Sequence, residues 1–304
     1  MRTVIKGPKV TWVDIQNPTE EDVEFLREIY SFHPVILKEI IPPSWRAKVE
    51  VFPNYLFLVL HHPAYSKITK KTRPRELDII VTKDALITIH YDVILPVKAL
   101  LDRCNLYEES KKSYMNQTAG HLLYYLLDRF WEDCLTKISR INTKITNIEE
   151  QIFEGKESEM VKNISLTRTD ILDFSRIITP QQDILQSLND VEVNFFTKDT
   201  EHYFSNIIGK YTRCKNELET QKETVGALEE TNNSLLNKKI NEIIKVLTIF
   251  SVIVFPLNLF AGIFGMNTEF LPIVGMQNDF WIISGIMLTG IIGMILFFKK
   301  KKWL

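Results

Sequence analysis

The sequence predicts an α/β domain joined through a helical region and one long helix to two membrane-spanning helices. Three observations carry that prediction. Short β-rich runs alternate with a helical one up to about residue 105, helical periodicity replaces them from about Gly120, and two C-terminal stretches of 19 residues lack any ionisable side chain.

The strands come first. Lys9 to Val13, Lys48 to Phe52, Tyr55 to Leu60, Leu77 to Val81 and Leu86 to His90 are rich in Val, Ile, Phe and Tyr and bounded by Pro, Asn and charged residues. Thr19 to Tyr30 reads as a helix, because Thr19 follows Pro18 as an N-cap and acids fill the first turn. Residues 1–119 are therefore assigned to an α/β domain. Leu122, Leu126, Phe130, Leu135, Ile138, Ile141, Ile145, Ile148 and Ile152 then repeat at helical spacing, with breaks near Gly155 and at Pro180, so 120–197 is expected to be a helical hairpin. From about Lys198 a stretch rich in Glu, Lys, Asn and Leu has neither Pro nor Gly between Gly226 and Pro256. It reads as a stalk helix, 198–245, that runs directly into the first span.

Val246 to Phe264 and Phe280 to Phe298 are the two apolar stretches. At about 1.5 Å per residue each reaches roughly 28 Å, close to the hydrocarbon thickness of a bilayer. Lys238, Lys239 and Lys245 precede the first and Lys299 to Lys302 follow the second, whereas the loop 265–279 holds Glu269 and Asp279 and no Lys or Arg. The positive-inside rule places both termini and the basic tail 299–304 in the cytoplasm, and the acidic loop outside. The first residues, Met1 to Pro8, lack the apolar core of a signal peptide.

Composition excludes other classes. The 37 Lys and Arg balance 38 Asp and Glu, leaving a net charge of -1 with no basic field for nucleic acid. Cys104, Cys134 and Cys214 form no CxxC pair and fit reduced thiols. His61-His62 point to opposite faces of a strand and no HExxH or P-loop accompanies them, so no enzyme is expected. His33 and His202 read as capping or surface residues.

Within the first span the polar and small residues are ordered. Asn241, Ile244, Thr248, Ser251, Phe255, Asn258 and Gly262 follow at steps of three and four and share one helical face. A polar row in a membrane faces other helices or water. Two helices cannot enclose a pore, so a conduit requires several copies about an axis.

The span ends Phe255-Pro256-Leu257-Asn258-Leu259-Phe260-Ala261-Gly262-Ile263-Phe264-Gly265-Met266-Asn267. This resembles the PLTxxAGIYGMN signature of the CorA family of divalent-cation transporters. His33-Pro34 with Leu37 and Glu39, followed by Arg46, Lys48-Val49-Glu50 and Phe52, is similar to the family's HPLxxED and RxKxExF. The resemblance implies a funnel-shaped homopentamer with a cytoplasmic α/β/α sandwich, a pore-lining first span and an outer second span in the plasma membrane. It implies that Asn241, Ile244, Leu247, Thr248, Ser251, Phe255, Asn258 and Gly262 line the pore and that Gly265, Met266 and Asn267 form its selective entrance. The expected cargo is Mg²⁺, with Co²⁺ or Ni²⁺ as further substrates, and no organic cofactor.

Family gating is attributed to Mg²⁺ bound between cytoplasmic domains, and here this sequence departs from the pattern. The acid pair has become Lys38-Glu39, and Asn206 stands where relatives carry Asp. Feedback is expected to be weaker or carried by Asp199, Glu201 or Glu230. In the outer loop Pro272-Ile273 replaces Pro-Glu, leaving Glu269 and Asp279 to attract cations. The alternatives are a proton-coupled Zn²⁺ transporter of the same superfamily, which usually carries GIN in place of GMN, and a membrane-anchored oligomeric scaffold.

Overall fold

The structure, a computed structural model, describes residues 1–304 except 45, 67, 70, 191–198, 268–270 and 304, and the side chains of 189–190 and 199–201. The chain divides into two compact units, Met1–Glu230 and Thr231–Leu304.

In the first unit six strands form one mixed sheet: β1 (Arg2–Lys6), β2 (Thr11–Gln16), β3 (Lys48–Val51), β4 (Tyr55–Ser66), β5 (Lys71–Thr82) and β6 (Ala85–His90). Their order is β1-β2-β6-β5-β4-β3; β2 and β6 run parallel and every other pair is antiparallel. Helices α1 (Glu20–Tyr30) and α2 (Pro34–Ile40) fill the connection between β2 and β3. They cover one face through Val23, Leu26, Ile36 and Ile40, packed on Val13, Ile15, Phe57, Val59, Ile80 and Ile87. Thr19 begins α1 in a capping box with Asp22, and His33 caps α2, its Nδ1 accepting from Val35 N at 3.2 Å.

The β-strand period turns Leu56, Leu58, Leu60 and His62 to the opposite face. That face is covered by α5 (Ala119–Phe153) and α6 (Glu157–Ile178), which lie against β4 and β5. The result is an α/β/α sandwich. Thr118 caps α5, and Gly155, at φ +89°, takes the left-handed conformation that turns the chain into α6. Composition changes at about residue 119, but the two long helices supply a layer of the sandwich and compactness changes only at Glu230. Helices α3 (Leu95–Leu106) and α4 (Glu108–Met115) precede α5; a 3₁₀ turn at Thr179–Gln181 and α7 (Gln182–Asp190) follow α6.

Helix α8 (Asp199–Phe264) is 66 residues long. Its first half buries Phe204, Ile207, Tyr211, Cys214, Leu218, Gln221, Val225 and Leu228, a run of alternating steps of three and four. Tyr211 meets Trp131 of α5 edge-on at 5.1 Å, and Gln221 Nε2 donates to Ile138 O at 3.0 Å. Burial pushes the Cys214 thiol up to about 12 and Cys104 to about 11, so both are protonated.

In the second unit the rest of α8 is joined by α9 (Asp279–Lys300). Both helices are long and apolar enough to cross a membrane. Lys245 Nζ donates to Lys302 O at 3.3 Å and Trp303 stacks on Phe298, so the end of α9 returns to the level at which α8 becomes apolar. Pro256 lies inside α8 and has no N–H to return to Val252 O.

Candidate ion pathway and entrance

In the second unit one row of α8 is covered and most of the rest of the helix is open. Lys245, Ile249, Ile253 and Leu257, spaced by four, are buried or half-buried, and the half-covered row of α9 is Ile283, Met287, Ile291 and Met294. Asn241, Ile244, Leu247, Ser251, Phe255, Asn258 and Gly262 are exposed and Thr248 is half-covered. Phe255 reaches 73% exposure, which for a ring in the middle of a span means that lipid or another protein chain covers it.

The hydroxyls of this row are tied to their own helix. Thr248 Oγ1 donates to Ile244 O at 2.8 Å and Ser251 Oγ to Leu247 O at 2.9 Å. A hydroxyl that spends its hydrogen this way presents only lone pairs outward. The row therefore offers oxygen acceptors at Thr248 and Ser251, amides at Asn241 and Asn258, and apolar groups at Ile244, Leu247 and Phe255.

At the end of α8 the chain turns sharply. Gly265 N donates to Ala261 O at 2.9 Å and Met266 N to Ile263 O at 3.3 Å. A Cβ on Gly265 would sit 3.0 Å from Ala261 O, tighter than side chains normally approach a carbonyl, so a larger residue here would push the turn by a few tenths of an ångström. Met266 and Asn267 follow it and are both exposed. Of the two outer acids, Glu269 lies outside the described residues. Asp279 is half-buried at the start of α9; its carboxylate accepts from Gly275 N at 3.1 Å and Phe280 N at 2.7 Å, and so orders the loop as well as charging it.

The residues suggested as a regulatory metal site are scattered in one chain. Glu39, half-buried, is bound by the Lys48 ammonium, which also binds Glu50 at 2.6 Å. Burial alone would lower the pKa of Lys48, but the two carboxylates outweigh it and raise it. Asn206 and Glu230 are exposed on α8 and the side chains of Asp199 and Glu201 lie outside the described residues. Among the described residues no three His, Cys, Asp or Glu side chains meet as a metal cluster. Lys48 as the partner of Glu39 was unreadable in the sequence, since an i,i+9 contact between a helix and a strand leaves no periodic trace.

The histidine pair divides between the two sheet faces. His61 lies 3.5 Å from Glu76, while His62 Nε2 lies 2.9 Å from Asp133 Oδ2 on α5. Burial holds His62 below its usual pKa despite Asp133. Burial would raise the Asp133 carboxyl, but hydrogen bonds from His62 and Lys137 bring it down to about 2.

Residues 8–300 match the model of the family described as CorA-like Mg2+ transporter protein. The chain belongs to this family. It is similar to the cobalt/magnesium transport protein CorA of Thermotoga maritima, 30% identical over 97% of this chain and 83% of that one. The CorA structure from Methanocaldococcus jannaschii superposes with a TM-score of 0.83 at 21% identity, over 97% of this chain and 92% of that one. The ZntB cytoplasmic domain from Vibrio parahaemolyticus is similar in fold at 11% identity, with a TM-score of 0.63 over 77% of this chain and 90% of that one.

Proposed function

We propose that this protein is a channel for divalent cations, Mg²⁺ first, in which five chains place the exposed face of α8 around a common axis. The observation that carries the reading is that face: polar atoms and apolar rings alternate along it, and α9 leaves it uncovered. In a bilayer the arrangement is economical only if copies of the same face enclose water. Both termini are then cytoplasmic in the plasma membrane, as the lysines flanking the spans favour.

Mg²⁺ dehydrates reluctantly, so an entrance that keeps the ion's water shell needs acceptors at a distance rather than carboxylates in contact. The Asn267 amide oxygen supplies one acceptor per chain, and the turn at Gly265 and Met266 aims it. Asn258, Ser251, Thr248 and Asn241 continue the acceptor row, while Ile244, Leu247 and Phe255 form constrictions that close by excluding water. An inside-negative potential contributes about 2.3 kcal/mol per charge per 100 mV, and roughly twice that for a divalent ion, which drives uptake without ATP. Co²⁺ and Ni²⁺, of the same charge, are the next candidates.

Feedback by cytoplasmic Mg²⁺ is weak in this reading, because the carboxylate of Glu39 already holds the tethered cation of Lys48. Any remaining response falls to Glu230, Asp199 or Glu201 at contacts between chains, with Asn206 contributing only a neutral oxygen. Isothermal titration of the full-length protein with Mg²⁺ is expected to give no tight site that depends on Glu39. Tight binding abolished by Glu39→Ala would overturn this account of the gate.

Flux tests the channel itself. Liposomes holding a Mg²⁺-sensitive dye should fill under an inside-negative potential, regardless of a pH gradient, and Asn267→Ala should slow filling at least tenfold with the oligomer intact. Zn²⁺ entry that follows the proton gradient would move the protein to the proton-coupled branch, and no flux of either ion would leave an oligomeric scaffold.

A further inference from the structure

In the sandwich the end of the β4–β5 hairpin, α5 and α6 line a cavity of about 390 Å³. Its lining has two characters. Ile141 and Phe174 make an apolar floor with Leu95 exposed at the edge, while Arg75, Lys137, Arg140 and Lys144 face Asp170 alone among the lining acids. Lys137 is engaged by Asp133 and by Pro63 O, Lys144 by Asp170, and Arg75 by Val93 O. Arg140 is exposed and has no partner among the described residues.

Two further features point to a ligand. The Tyr65 ring, half exposed at the rim, already carries the Lys144 ammonium 4.6 Å from its centroid, so a flat face and a cation stand side by side. The imidazole of His62 also lines the cavity. It is 2% exposed, and its Nδ1 has no partner among the described residues. Its Nε2 is shared between Asp133 Oδ2 at 2.9 Å and Lys137 Nζ at 3.2 Å, which leaves Nδ1 as an unmet hydrogen-bonding group whichever nitrogen carries the proton. A buried polar atom without a partner has a cost that a ligand group bonded to it removes.

We propose that this cavity binds an organic phosphate with a flat aromatic body, the nucleotide class. The phosphate meets Arg140 and the free donors of Lys144, the ring lies against Tyr65 and the apolar floor, and a hydroxyl or amino group pairs with His62 Nδ1. Size agrees, since the volume falls within the range of small-molecule sites. Charge selects the phosphate: Arg140 supplies a planar fork of donors in a setting where every other cation is already partly engaged. The binding contacts lie on three elements, so an occupied site would tie the hairpin of β4 and β5 to α5 and α6.

The test is equilibrium dialysis of the full-length protein in detergent with radiolabelled AMP, ATP and inorganic phosphate. EDTA is present throughout so that chelation of divalent ions by nucleotides cannot produce the signal. Saturable binding of AMP or ATP below 1 mM is expected, with inorganic phosphate at least tenfold weaker. Arg140→Glu and Tyr65→Ser should each weaken nucleotide binding at least tenfold, while Arg129→Ala, exposed elsewhere on α5, stays within twofold of the parent. Melting temperatures within 2 °C of the parent would exclude misfolding as the cause. The proposal is overturned by no saturable nucleotide binding up to 5 mM, by equal binding of phosphate and AMP, or by binding that Arg140→Glu leaves unchanged.

Discussion

The two units of this chain are stabilised by different surroundings. In Met1–Glu230 the sandwich covers its own apolar residues: Phe57, Leu58 and Ile80 have no exposed surface at all. In Thr231–Leu304 Phe250, Phe255, Trp281 and Phe297 stand in the open. A surface of that kind belongs to a protein whose remaining packing partners are lipid or further chains. The contrast separates substitutions that damage folding from those that alter passage.

Phe57→Ala should therefore have the largest effect on stability. A loss of about 3–5 kcal/mol is expected for a fully buried ring, read as a lower denaturant midpoint of the full-length protein in detergent. Phe255→Ala, chemically the same change, should alter that midpoint by less than about 0.5 kcal/mol. It should instead change the ion flux, because it removes an apolar constriction. An equal loss of stability at both positions would break the comparison.

Acid probes the first unit next. Asp133 has its pKa lowered to about 2 by folding, so it contributes stability above the ordinary carboxylate range that is lost as pH falls through about 2. His62, also lowered, acts in the same direction: its contribution is complete above about pH 6.5 and declines as acid favours the protonated ring of the unfolded chain. Asp133→Asn should cost about 2 kcal/mol at pH 7 and almost nothing at pH 2, measured as the difference in unfolding free energy between variant and parent.

A further expected change has the opposite sign. Asp78 is buried with one carboxyl oxygen unpartnered, and burial, then the nearby Glu76, push its pKa well above the usual carboxylate range. A group held up this way favours folding most in acid, and that advantage declines as pH rises through the folded pKa. Asp78→Asn, which has the shape of the protonated acid, should raise the melting temperature at pH 8 by roughly 2–4 °C, the effect of about 1 kcal/mol in a domain of this size. At pH 4 the two proteins should melt together.

Much of the architecture was legible because its signals are local. The Thr19 cap, the 3.6-residue rhythm of α5 and the apolar spans each sit within a few turns of chain. Strand β1 was missed, since Arg2–Lys6 is a short edge strand with one buried residue, Ile5. Strands β4 and β5 run further than expected because Pro63 and Pro74 read as strand breakers. They pair with each other, beyond the residues where β3 and β6 join the sheet, so their missing donors fall together in a projecting two-stranded ribbon. The pathway residues share one face of one helix, a relation that residue spacing encodes directly. The Lys48 bridge and the cavity at His62 join residues tens of positions apart, and only the folded chain brings those together.

One consequence of the continuous helix α8 concerns how the protein is made. Starting a helix is its costly step, whereas extending one adds a hydrogen bond for each residue fixed. The first half of α8 is anchored by the buried Tyr211, Cys214 and Leu218, all of which precede the apolar stretch in the same unbroken helix. The first span thus continues a helix whose nucleus is already held, and the direction each of its side chains takes follows, residue by residue, from the turns before it.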